Sequence, residues 1–184
     1  MLIMRHELLL VLIAVILLVT EIFLPADRKR RIILPAILLF AAVTVIGFIP
    51  GPMGSLFGGM YATSALTVML KNILNIGVLI VMIQSVEWLK RPENKEKISE
   101  YFLLLISTLI GMQYMISSGD FLMFYLGLEL ATIPIAALAA FDRFKEKSAE
   151  AAVKLIFTSA LSSGILLYGL SMIYGTTGTL YFSE

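Results

Sequence analysis

Long apolar runs alternate with short polar connections along the whole chain. Six runs approach or reach the length that crosses a hydrocarbon layer roughly 30 Å thick at ~1.5 Å rise per residue. They are Leu8–Leu24, Ile32–Ile49, Asn72–Leu89, Tyr101–Ile116, Phe121–Phe141 and Ala151–Tyr174. Unpaired backbone groups are too costly in hydrocarbon, so each run is predicted to be helical throughout. Lys71, Asn72 and Asn75 crowd the start of the third run and blur its boundary. The second connection, Pro50–Leu70, opens with five glycines or prolines in nine positions, a turn-forming composition. Its Tyr61–Lys71 part is mildly apolar, and either lies along the outer surface or extends the third span. After Tyr174 the sequence GTTGTLYFSE reads as a turn followed by a β-prone segment, the start of an external loop or hairpin.

The charges follow the same alternation. Eleven of the fourteen basic residues fall in the first, third and fifth connections: Arg28–Arg31, then Lys90, Arg91, Lys95 and Lys97, then Arg143, Lys145 and Lys147. The second and fourth connections hold almost none. The positive-inside rule therefore predicts cytoplasmic odd connections and an external N-terminus. One missed or invented span would scramble this pattern. Composition agrees: 59% of the 184 residues are hydrophobic and the mean hydropathy is +0.95, too apolar for an ordinary soluble domain. The first run has no small-residue cleavage site and its basic cluster follows it, so it reads as a retained helix rather than a secretory signal. A net charge of +1 points to no nucleic acid. Without cysteine and with a single histidine, His6, the chain cannot build disulfides, thiolate metal sites, iron–sulfur ligation or a histidine-based triad.

One acid stands out. Glu129 has eight residues before it and twelve after it in the apolar run Phe121–Phe141, near mid-bilayer depth. A charge there costs at least ~2.5 kcal/mol, so such a group is a functional candidate by default. Tyr125 and Thr132 share its helix face, and Pro134 follows, where a membrane-embedded proline frees a carbonyl and can bend the helix. Desolvation opposes ionisation of a buried carboxyl and a cationic partner favours it, and that balance suits a proton relay. The competing reading is a neutral, hydrogen-bonded packing acid. Lys154, early in the sixth span with Thr158 and Ser162 on its face, is the second candidate. It is equally readable as a snorkelling lysine paired with Glu150 one turn earlier. Glu21 and the Glu87–Trp88 pair read as interfacial, and Asp120 as a helix-start acid. Lys71 reads as an outer-interface anchor or part of a polar path. Ala160 and Gly164 have the small-residue spacing of close helix packing. No phosphate loop, nucleotide fingerprint or metal motif occurs.

From Tyr101 onward the motifs SSGDFLMFYLGLEL-x-x-IP, EAAVK and LSSGILLYGLSMIYGTTG resemble the subunit N family of bacterial proton-translocating NADH:quinone oxidoreductase (complex I). These are antiporter-like membrane subunits. The resemblance implies an all-α integral membrane protein whose six transmembrane helices begin an antiporter-like inverted-repeat bundle. Residues 1–100 would hold three N-terminal helices and residues 101–184 the first three helices of the first repeat. It implies that Glu129 is the proton-pathway carboxyl and Lys154 a buried basic residue on the cytoplasmic side. Tyr125, Thr132, Pro134 and Thr158 would be supporting groups. It also implies a place in the bacterial cytoplasmic (inner) membrane beside other complex I membrane subunits, with quinone, NADH, FMN and iron–sulfur clusters carried by those other subunits. Two departures are Leu155 in place of an aromatic residue after the lysine, and Thr63 and Ser64 where an acid is common. Family members have more than twice as many spans, so the expectation is an N-terminal portion. It would lack the lysine of the broken seventh helix and could not hold a complete proton path. A cation/proton antiporter or membrane-bound hydrogenase subunit on the same scaffold is the alternative function. A third reading is a structural membrane protein.

Overall fold

The computed structural model describes residues 2–24, 26–142 and 145–183. Arg143, counted above among the basic residues, lies outside the described residues. Among the described residues, six α-helices carry the fold: α1 Arg5–Phe23, α2 Ile33–Gly47, α3 Ala65–Leu89, α4 Ile98–Ile116, α5 Phe121–Ala139 and α6 Glu146–Thr177. Each is long and apolar enough to cross a membrane, α2 together with the helical turn that precedes it. A two-stranded antiparallel hairpin, β1 Gly54–Leu56 with β2 Tyr61–Thr63, fills the second connection.

The largest departures from the expected boundaries are the starts of α3 and α6. α3 begins at Ala65, seven residues before Asn72, so the apolar part of the second connection extends the third span. Ser64 causes this: its Oγ accepts from the Thr67 amide at 3.3 Å, and the Thr67 hydroxyl accepts from the Ser64 amide at 2.8 Å. α6 starts at Glu146, before the expected Ala151, and ends at Thr177, where Gly178 with φ of 74° closes the helix in the left-handed region. At α5 the Asp120 carboxylate accepts from the Met123 amide at 2.8 Å, the helix-start role expected of it. α5 runs unbroken through Pro134.

The core lies among α1, α2, α3 and α4, where Leu10, Phe40, Met82, Phe102, Ile106 and Leu109 are fully enclosed. α5 packs closely on α4 because both helices carry glycine at the crossing. A Cβ on Gly111 would stand 2.4 Å from the Ala131 nitrogen, and one on Gly127 would stand 2.7 Å from the Met115 nitrogen. α6 leans on α5, and most of its surface is exposed.

The ends of the bundle are joined differently. At one end the Ala62 amide donates to the Ser117 carbonyl at 2.8 Å and the Gly119 amide to the Met60 carbonyl at 2.7 Å. The Phe121 and Phe182 amides donate to the carbonyls of Leu180 and Gly119 at 3.0 and 3.2 Å. The hairpin, the α4–α5 turn and the segment after α6 thus form one patch of main-chain bonds. At the other, basic end, Arg30 reaches the Lys90 carbonyl at 2.5 Å and Lys97 the Phe141 carbonyl at 3.2 Å. Trp88 stands 5.8 Å from Tyr101 and 5.7 Å from Phe141 between ring centres.

Candidate functional site

Glu129 is the ninth of the nineteen residues of α5, close to its midpoint. The tight α4–α5 crossing fixes it: Gly127 and Ala131, the buried small residues on either side, face α4. Glu129 turns instead toward a groove of about 320 Å³ between α5 and α6, which it lines with Thr132, Ala136, Ile156, Ser159 and Ala160. Among the described residues, no group bonds its buried Oε1. Tyr125, one turn earlier, is the near neighbour of its carboxyl group, and the Thr132 hydroxyl donates to the Glu129 carbonyl at 3.3 Å. Pro134 is buried against the bundle. Tyr125, Glu129 and Thr132 thus lie together on α5, with one carboxyl oxygen of Glu129 unbonded among the described residues.

Lys154 is not brought to this acid. Its Nζ lies 2.5 Å from Glu150, and the lysine side chain is 72% exposed. Thr158 spends its hydroxyl on the Lys154 and Leu155 carbonyls, and Ser162 on that of Thr158. The physical reason is helical phase. Ile156, Ser159 and Ala160 face α5, which turns Lys154, Thr158 and Ser162 elsewhere on α6. Among the described residues, Gly164 has no atom within 4 Å of its would-be Cβ, so the expected close packing at this glycine is not made among them.

A second polar centre went unread in the sequence. Lys71 is fully buried, which overturns the outer-interface anchor and leaves the other reading, part of a polar path. Its Nζ lies 2.6 Å from Glu7 Oε1 and 2.9 Å from the Tyr61 hydroxyl, and that hydroxyl donates to the same Glu7 oxygen at 2.9 Å. The triangle joins α1, β2 and α3, and all three side chains are at most 1% exposed. Beside it, Asn72 Nδ2 donates to the Gly47 carbonyl at 3.1 Å, and His6 Nε2 lies 3.3 Å from the same oxygen. One turn along α3, Gln113 of α4 donates to Asn75 at 2.8 Å. Below this level Phe40, Met82, Ile106 and Leu109 close the bundle with apolar side chains. The available sequence signal was the polar face Lys71, Asn72 and Asn75 on an otherwise apolar helix. A glutamate at the start of the first span offered its counter-ion. Arg5 also bonds the Gly47 carbonyl at 3.3 Å and the Ile49 carbonyl, tying the start of α1 to the end of α2.

The fold and these two centres define a polytopic α-helical membrane protein with ionisable groups held inside its bundle. The sequence model of the family described as NADH:quinone oxidoreductase/Mrp antiporter, TM, matches residues 118–184, the segment that carries both Glu129 and Lys154. NADH-quinone oxidoreductase subunit N of Phocaeicola vulgatus is 45% identical over 98% of this chain and 38% of its own length. The subunit N of Azobacteroides pseudotrichonymphae is 41% identical over the same shares. A chain of respiratory complex I from Thermus thermophilus with bound aureothin shares the fold, with a TM-score of 0.71 at 24% identity over 97% of this chain and 38% of that one. A chain of the membrane-bound sulfane sulfur reductase, an archaeal respiratory membrane complex, does so with a TM-score of 0.69 at 21% identity over 96% of this chain and 37% of that one. Nearly the whole chain is thus similar to subunit N of NADH-quinone oxidoreductase. It spans about 38% of the length of those subunit N relatives.

Proposed function

We propose that this chain forms part of the membrane arm of a proton-translocating NADH:quinone oxidoreductase and that Glu129 carries protons there. The observation that carries the reading is the carboxyl group itself. It sits at the midpoint of a spanning helix, with one buried oxygen unbonded among the described residues and a groove in front of it. A carboxyl in this setting changes its proton affinity strongly when a cation approaches or withdraws. The similarity to subunit N over nearly the whole chain supports the same assignment.

Lys154 serves as the basic partner through an intermediary rather than by direct contact. Its stripe with Thr158 and Ser162 is too polar to face lipid, so it is turned toward further membrane helices of the assembly. Tyr125 and Thr132 hold the polar stripe beside Glu129. The basic end of the bundle lies in the cytoplasm and the hairpin end outside, in the inner membrane of a bacterium. Quinone, NADH, FMN and iron–sulfur clusters are assigned to other subunits; the given sequence has no cysteine to ligate an iron–sulfur cluster.

The test is proton pumping by the assembled complex reconstituted in vesicles. Glu129→Ala and Glu129→Gln are expected to abolish most of the pumping, and Glu129→Asp to retain part of it. Undiminished pumping by Glu129→Ala refutes the relay. The family description also names an Mrp antiporter, which favours cation/proton exchange as the second reading. That reading requires sodium-dependent proton flux without quinone reduction.

A further inference from the structure

We propose that the cleft between α1 and α2 binds an anionic diacyl phospholipid, with its phosphate on Arg31 and one acyl chain along Ile13, Leu17, Ala36 and Leu39. The cleft measures about 220 Å³ and is lined by residues of α1, α2 and the segment that joins them. Its walls are aliphatic, and Thr20 and Arg31 are its polar side chains. Thr20 is already satisfied, donating to the Leu17 carbonyl at 2.9 Å. The wall therefore offers nothing to hold water, and an apolar cavity of this kind stays dry or takes an apolar guest. In a bilayer the guest at hand is an acyl chain.

The charge at the mouth selects the headgroup. Of the cations in this stretch whose side chains are described, Lys29, Arg30 and Arg31, two are engaged. Lys29 lies 3.0 Å from Glu21, which neutralises the nearby carboxylate. Arg30 donates to the Lys90 carbonyl at 2.5 Å. Arg31 is exposed and, among the described residues, has no hydrogen-bond or ion-pair partner. A guanidinium offers a planar fork of donors that matches phosphate oxygens in pairs, and the acyl chain attached to that phosphate continues into the apolar cleft. A basic pocket between helix ends at a membrane surface is the geometry that holds lipid headgroups. A zwitterionic lipid fits the cleft but brings its own ammonium toward the cationic end, so the anionic lipid is preferred.

This inference is independent of proton translocation, because its readout is lipid retention without turnover. The membrane complex carrying this chain is reconstituted with phosphatidylglycerol and phosphatidylcholine, stripped with mild detergent, and weighed by native mass spectrometry. Wild type is expected to keep one more phosphatidylglycerol than Arg31→Gln, with about a fivefold weaker retention in the variant, from roughly 1 kcal/mol per cation near the surface. Ile16→Trp, which fills the cleft without touching charge, is expected to lose the same lipid. Arg30→Gln is expected to keep it. Equal retention in wild type and Arg31→Gln, or no preference for phosphatidylglycerol over phosphatidylcholine, overturns the proposal. So does displacement of the lipid by inorganic phosphate alone, or a protein helix seated in the cleft in an electron cryo-microscopy map of the same complex.

Discussion

Replacing Lys71 by methionine tests the second polar centre most directly. Methionine keeps the length and apolar stem of the lysine and removes its charge. Glu7 then loses the cation 2.6 Å away and keeps only the Tyr61 hydroxyl at 2.9 Å, at 1% exposure. Removing one partner of a buried ion pair costs about 3–5 kcal/mol, because the remaining charge is left uncompensated. Replacing both partners by apolar groups of similar volume is often close to neutral. Lys71→Met is therefore expected to destabilise by about 3–5 kcal/mol, and Glu7→Leu/Lys71→Met to recover part of that loss. The Tyr61 hydroxyl loses both partners in the double variant, so about 1–3 kcal/mol of the deficit should persist. Reversible unfolding in mixed micelles titrated with dodecyl sulfate measures all four corners of the cycle. A single variant within 1 kcal/mol of wild type, or a double variant no better than the single, refutes the reading of these residues as a buried, mutually dependent pair.

Other outcomes follow from single contacts. Gly111→Ala is expected to cost about 1–3 kcal/mol by forcing α4 off α5, where the new methyl meets the Ala131 nitrogen, whereas Gly164→Ala meets open space and should be tolerated within the chain. The same unfolding assay compares the two. At the basic end, the hydrogen bond from Lys145, 2.5 Å away, holds the Asp142 carboxyl below the usual carboxylate range, with the charges of Lys145 and Lys97 adding to it. A depressed carboxylate contributes stability above its unfolded value and loses it as pH falls through the folded one. Asp142 in turn holds Lys145 above the usual lysine range, a contribution present below the unfolded lysine value and lost as pH rises through the folded one. The pair is thus intact across the neutral range, and Lys145→Ala is expected to raise the Asp142 value toward normal in a carboxyl-carbon NMR titration. Asp120→Ala, which removes the acceptor for the Met123 amide, should cost about 1 kcal/mol and fray the first turn of α5 in hydrogen exchange.

The helices were legible because hydrocarbon allows an apolar run of this length little else to become. Their alternation of basic and uncharged connections gave the two ends of the bundle, and Arg30, Lys90, Lys97 and Phe141 do meet at one of them. The α3 boundary was less legible, because threonine at the third helical position replaces the acidic or amide residue that marks a capping box. The hairpin escaped because three-residue strands carry no usable alternation. Glu129 and its stripe could be read from one helix. The triangle of Glu7, Tyr61 and Lys71 could not, since Tyr61 and Lys71 are 54 and 64 residues from Glu7 along the chain and meet it only after α1, β2 and α3 have packed. Lys154 shows the converse: helical spacing gave its neighbours on α6 but not the direction in which that face points.

The contrast between the two ends of the bundle bears on how the sequence can drift. Amide-to-carbonyl stitches such as those joining Met60, Ala62, Ser117 and Gly119 are indifferent to which side chains stand there, proline excepted. The opposite rim depends on the identities of Arg30, Trp88, Lys97 and Phe141. Mutation can therefore retune the splay of the helices at that rim while the stitched rim holds its register.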